Sequence, residues 1–166
     1  MKLGGLHSTA LALPGFHAFI GCANNSSIHR KGKNSCWDLW QLYPEFTVAF
    51  SVLSQIIASN DDNEEVFPVI IKYVARLFQL NDECQDVDSS YLHMFLYKGK
   101  PFEIMPPGSD VLKHHTHRAA YLHGHIWGKT LVPKISPLSP SEWGWIINQL
   151  LIHVVQREFT EFPHAI

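Results

Sequence analysis

Histidine is the residue type best placed to do chemistry in this chain. Of its eleven histidines, five fall close together, at His114, His115, His117, His123 and His125. A neutral imidazole can ligate zinc, and it titrates near neutral pH, so the cluster raises the question of a metal site. A zinc pair on a helix needs two histidines four residues apart with a third ligand elsewhere. No two of these five are four apart, and Arg118 places a permanent charge among them. At 100° per residue, Val111, Leu112, His115, Ala119, Leu122 and Ile126 form one apolar stripe. His115 is therefore expected inside, as a hydrogen-bonded core residue. His114, His117, Arg118, Tyr121 and His125 share another face, expected to be wet. No metal ligand is assigned.

Other reactive arrangements are equally sparse. Cys22, Cys36 and Cys84 form no CxxC pair, which excludes a zinc ribbon and fits reduced thiols in an intracellular compartment, nuclear or cytoplasmic. Cys22 and His17 can be paired on paper as nucleophile and base, as some pair can in any chain this rich in histidine. There is no nucleophile elbow, phosphate-binding P-loop or dinucleotide fingerprint. The acidic run Asp61–Glu65 reads as a solvated loop running into a helix N-terminus, where negative charge is favoured. Catalytic residues and cofactors are accordingly both expected to be none.

The densest basic cluster is His29-Arg30-Lys31-Gly32-Lys33. It follows the apolar segment Leu13-Pro14-Gly15-Phe16-His17-Ala18-Phe19-Ile20-Gly21 and the polar turn Cys22-Ala23-Asn24-Asn25-Ser26-Ser27. The order is apolar helix, polar turn, basic turn, then a helix opening near Asn34. Such a helix–two-turn–helix presents backbone N–H groups and cations to phosphate. The blander reading is a solvated basic loop.

This stretch resembles the LPGFHAFTGCDTTSAF.GKGK pattern of a large family of transposon-associated animal proteins. The family is itself similar to PIN-like, flap-endonuclease/XPG-type nucleases. The resemblance continues in frame through Met105-Pro106-Pro107, Leu112, His115, Arg118-Ala119-Ala120-Tyr121, Gly124, Ile126-Trp127-Gly128 and Trp143-Gly144-Trp145. It covers most of residues 10–146 and implies nuclease ancestry. Three departures bear on activity. Ala23 stands where the family has an aspartate, whose counterpart in flap-type nucleases helps hold a divalent metal. The chain begins after the strands expected to supply the other acids. Arg30 stands where the family has the first glycine of its basic turn, and arginine adopts positive φ less readily. Two-metal hydrolysis needs several carboxylates converging on hard cations, so the resemblance implies a degenerate, non-catalytic fragment.

The elements positioning these residues read as mainly helical. Apolar spacing and turn residues predict a short helix over Ser8–Gly21 broken at Pro14-Gly15, and another from Asn34 to Tyr43. Further helices are expected over Glu45–Ala58, from the acidic run to about Leu80, and from Asp110 to about Lys129 capped by Ser109. An apolar-rich element, helix or strand, is expected over Tyr91–Tyr97. The expected organisation is a nuclease-like remnant over 1–60 with the basic turn, a helical domain over 61–130, and an irregular Pro/Trp-rich tail over 131–166. Within that tail, Ile146–Val155 is a candidate strand.

With 46% hydrophobic and 17% charged residues, a packed core is expected. A net charge of −2 leaves nucleic-acid affinity to the local patch alone. Met1–Gly15 lacks the longer apolar stretch and small-residue cleavage site of a secretory leader. No run is long enough to span a bilayer, since Lys72 and Arg76 interrupt the best candidate. Three functions remain open: weak, sequence-independent DNA binding through His29, Arg30, Lys31, Gly32 and Lys33; a helical interaction module docking a partner or missing domain through exposed Trp127, Trp143 and Trp145; and an active nuclease with a substitute acid, Asp38 or one from Asp61–Glu65.

Overall fold

The structure is a computed structural model, and it describes residues 3–53, 65–80, 105–131, 139, 143–148 and 151–154. It is mainly helical: α1 (Leu3–Ile20), α2 (Lys33–Leu42), α3 (Phe46–Val52), α4 (Val66–Leu77) and α5 (Ser109–Ala120). Without a break, α5 runs on into a π-helical segment, Tyr121–Ile126, and a 3-10 turn, Trp127–Lys129. The expected element at 91–97 and the far end of the predicted 45–58 helix lie outside the described residues.

Helix α1 runs unbroken through Pro14, contrary to the sequence expectation. Proline removes one helical donor and crowds the preceding turn, but packing on both sides holds the helix together. Ala12, Phe16, Ala18, Phe19 and Ile20 are all buried. Gly15 is where α1 crosses α3, and a Cβ there would stand 2.2 Å from the Phe50 carbonyl oxygen. The Pro-Gly pair therefore marks a close helix crossing rather than an end.

Aromatic side chains dominate the core. Phe16 lies on Trp40, with ring centroids 4.6 Å apart, and meets Phe50 edge-on at 5.3 Å. Tyr73 of α4 packs edge-on against Phe46 at 5.0 Å and Phe50 at 5.2 Å. Its buried hydroxyl donates to the Cys36 carbonyl at 2.8 Å, tying α4 to α2. Burial raises the Tyr73 pKa well above that of a free phenol. The Trp40 indole N–H donates to Thr47 Oγ1 at 2.9 Å. At the surface, Arg76 bridges Glu45 at 2.9 Å and stacks over Tyr43. Pro68 falls in the first turn of α4, where its missing N–H has no helical partner to lose.

Helix α5 is more buried than its wheel suggested. Leu112 and every residue from His115 to Ala120 are buried. His115 is the expected core histidine, with Nε2 2.6 Å from the Phe19 carbonyl at the end of α1. The wet face is a correction: His117, Arg118 and Tyr121 are buried too. The reason is that residues near Gly144 and Trp143 cover the side of α5 that α1 leaves open. Trp143 packs on Tyr121 at 5.6 Å and on His125 at 4.8 Å, and Trp145 meets Tyr121 at 5.4 Å.

The tail is consequently not irregular throughout. Strands β1 (Trp145–Asn148) and β2 (Leu151–Val154) pair antiparallel, Trp145 opposite Val154 and Asn148 opposite Leu151. The single strand expected over 146–155 is a hairpin. Trp143 is buried, while Trp127 and Trp145 are half-buried. Trp127 stacks on His17 at 5.7 Å. Of the three tryptophans expected to be exposed, Trp143 is therefore taken up by internal packing, and Trp127 and Trp145 are partly so.

Acid should destabilise this fold. The pKa of His115 is lowered from 6.5 to about 4, by burial first and by Arg118 nearby, against the Phe19 hydrogen bond. Burial also lowers His114, His117, His123 and His125. The folded state holds these imidazoles neutral, so below pH 6.5 the unfolded chain binds more protons. Their contribution is complete above the unfolded value and is lost as pH falls toward 4. His115 alone should account for about 3 kcal/mol across that window. Urea unfolding midpoints should drop steeply from pH 7 to pH 4, and a flat profile would contradict the burial of His115. Gly15→Ala should lower stability by about 3 kcal/mol or more in the same assay.

Candidate functional site

The segment joining α1 to α2 takes its shape from four fixed points. Gly21 ends α1 at φ +108, and a Cβ there would lie 2.5 Å from Ser27 Cα, so only glycine fits. Cys22 and Asn25 then close a tight turn, the Cys22 N–H reaching the Asn25 carbonyl at 3.0 Å. Asn25 is buried. Its Nδ2 donates to the Ala18 carbonyl at 2.9 Å, and its Oδ1 accepts from Arg118 Nε at 3.2 Å. Ile28 is buried under the second turn, which the Lys31 N–H closes onto the Ile28 carbonyl at 3.1 Å.

Arg118 ties the region together. Only 2% exposed, it donates through Nη1 to the Gly144 carbonyl at 2.9 Å as well as to Asn25. Among the described residues no carboxylate lies within 4 Å of it. Burial lowers its pKa from 12.5 to about 10, so it stays charged at neutral pH. Gly144 adopts φ +85, and a Cβ there would crowd the His114 carbonyl and Arg118.

The basic cluster sits outside this framework. His29, Arg30, Gly32 and Lys33 are exposed. Lys31 is half-buried, its ammonium 4.3 Å above the Phe78 ring. Arg30 adopts the left-handed φ of +56, which costs a side chain about 1 kcal/mol. This is the position where the resembled family carries glycine. Gly32 has an ordinary extended backbone and open space around it, and it caps α2 without a side-chain hydrogen bond. The turn thus requires left-handed backbone at 30, not at 32.

Ala23 is exposed and lines an open concavity of about 690 Å³ with His17, Cys22, Asn24, Ser26 and Lys33. No carboxylate among the described residues lines it. Among the described residues no three His, Cys, Asp or Glu side chains are grouped to hold a metal ion. The concavity therefore offers, among the described residues, no carboxylate set for a divalent cation. Asp38 is exposed on α2 and does not line the concavity, Glu65 precedes α4, and Asp61–Glu64 fall outside the described residues. His17 and Cys22 share the concavity, with no hydrogen bond joining them among the described residues.

Residues of the first turn region and of the later helix and tail pack on one another. His17 stacks on Trp127, Phe19 accepts from His115, and Gly144 accepts from Arg118. Gly15 also faces His123, whose Nδ1 would lie 2.9 Å from an added Cβ. Sequence reasoning missed Asn25 and Arg118 as partners, although Asn25 stands in the turn and Arg118 in the later motif. No family model, curated protein or solved structure matches the chain.

Arg30→Gly should raise stability by about 0.5–1 kcal/mol by relieving left-handed strain. Gly32→Ala should change it by less than about 0.5 kcal/mol. Equal effects of the two changes in thermal denaturation would contradict this account of the turn.

Proposed function

We propose that this chain is a non-catalytic, nuclease-like module that binds nucleic acid weakly and without sequence preference. On this reading it descends from the transposon-associated family it resembles, and His29, Arg30, Lys31, Gly32 and Lys33 form the contact surface. The observation that carries the reading is the pairing of an exposed basic turn with a neighbouring concavity that no carboxylate among the described residues lines. Lys33 opens α2, whose first N–H groups lack helical acceptors and add positive potential beside the side chains. Phosphate oxygens suit such a surface, and contacts to phosphate carry no sequence information.

Catalysis is not part of the proposal. An alanine methyl at position 23 cannot ligate a cation, and restoring one acid there supplies one ligand where two-metal hydrolysis needs several. Among the described residues, no helix is long and apolar enough to cross a membrane. A nuclear or cytoplasmic location follows from the proposed ligand.

Duplex and single-stranded DNA of unrelated sequence should bind with similar, micromolar or weaker affinity, and should be released by moderate salt. Changing Arg30, Lys31 and Lys33 together to alanine should weaken binding at least tenfold and flatten the log–log salt slope by about 2. Affinity unchanged by the triple substitution would refute the assignment. Ala23→Asp should leave the chain without Mg²⁺-dependent cleavage of flap or single-stranded DNA; cleavage by that variant would show that the remaining acids are in place.

A further inference from the structure

Beneath the basic turn lies a second, smaller and more enclosed cavity, of about 210 Å³. Its walls are mostly apolar, supplied by Ile28, Phe78, Met105, Val111 and Leu112. Two nitrogen-bearing side chains of α5, His115 and Arg118, also line it. The cavity adjoins the Ala23 concavity through Ser26 and Ser27, and of the proposed nucleic-acid contact only His29 lines it.

A buried guanidinium without a counter-ion is costly, because desolvation is then offset only by hydrogen bonds. Two of the five N–H donors of Arg118 are accounted for, by the Asn25 oxygen and the Gly144 carbonyl, both neutral acceptors. Among the described residues no carboxylate lines the cavity. Burial holds His115 neutral, so Arg118 is the permanent charge on the described walls. His29 lies at the exposed edge.

We propose that this cavity is a binding site for a small organic monoanion, a carboxylate attached to a compact apolar body. The carboxylate pairs with Arg118, and the planar fork of the guanidinium suits two parallel hydrogen bonds. The apolar body fills the space between Phe78, Met105 and Val111. One charge on the wall calls for one charge on the ligand. A phosphate dianion would leave excess negative charge in an apolar enclosure, and a neutral hydrocarbon would leave Arg118 uncompensated. At about 30 Å³ per water, the space holds roughly seven waters, which corresponds to an acid of about eight to ten non-hydrogen atoms.

Benzoate and hexanoate are suitable probes, with benzamide and hexanol as neutral counterparts. Calorimetric titration of the full chain at pH 7 should give at least tenfold tighter binding of each acid than of its neutral counterpart. The acids should also raise the melting temperature, and the neutral compounds should not. Val111→Phe fills the cavity from its partly exposed edge and leaves Arg118 in place, so it should abolish acid binding while the protein still melts cooperatively. Arg118→Met should remove the preference for the charged form. Failure of both acids to bind, equal binding of acid and neutral compound, or binding that survives Val111→Phe would each overturn the proposal. DNA affinity serves as a separate readout, since Arg30, Lys31 and Lys33 do not line the cavity and Val111→Phe should leave DNA binding within about twofold.

Discussion

A permanent positive charge buried on α5 is the constraint around which the rest of the molecule is arranged. Arg118 cannot shed its proton at physiological pH, so its buried donors need acceptors. The Asn25 side chain and the Gly144 carbonyl meet two of them, and these come from segments far apart in the chain. The turn after α1 and the segment leading into β1 are thereby fastened to one residue. Gly21 and Gly144, both at positive φ, let the backbone come close enough to do so. His115, one turn earlier, fastens the end of α1 in the same way.

On the proposed reading, this framework is what a nuclease-like fold keeps when its chemistry is gone. The shared residues are largely those that hold α1, α5 and the hairpin together, and such packing persists whether or not a metal site does. Ala23 and Arg30 lie outside that packing, on exposed turns where substitution disturbs little. On that reading, an alanine at 23 removes a ligand without disturbing the packing. A basic turn needs no such precision, because attraction to phosphate depends on charge density rather than on converging geometry.

Much of the helical layout was legible in the amino-acid pattern. The stripes at Phe46–Leu53 and Val66–Leu77, and the inward placement of His115, follow from 3.6-residue periodicity. Three readings failed for physical reasons. Pro14-Gly15 signals a helix end in isolation, but tertiary packing of Phe16 and Phe19 outweighs one lost hydrogen bond. A helical wheel assumes one buried face, and α5 is covered on more than one side, so Arg118 and His117 were misplaced. Tryptophans in a proline-rich tail look available for a partner, yet Tyr121 and His125 already cover Trp143. The candidate site was half legible: the basic run was visible by composition, whereas its support from Asn25 and Arg118 depends on contacts between residues 93 apart.

The central claim is that Asn25 and Arg118 act as one buried unit, and a double-mutant cycle measures this most directly. Urea unfolding of Asn25→Ala, Arg118→Met and the double variant yields the coupling energy between the two side chains. The account predicts coupling of about 1–3 kcal/mol, because either single change strands a buried polar partner and the double change does not. Additivity within about 0.5 kcal/mol would contradict it.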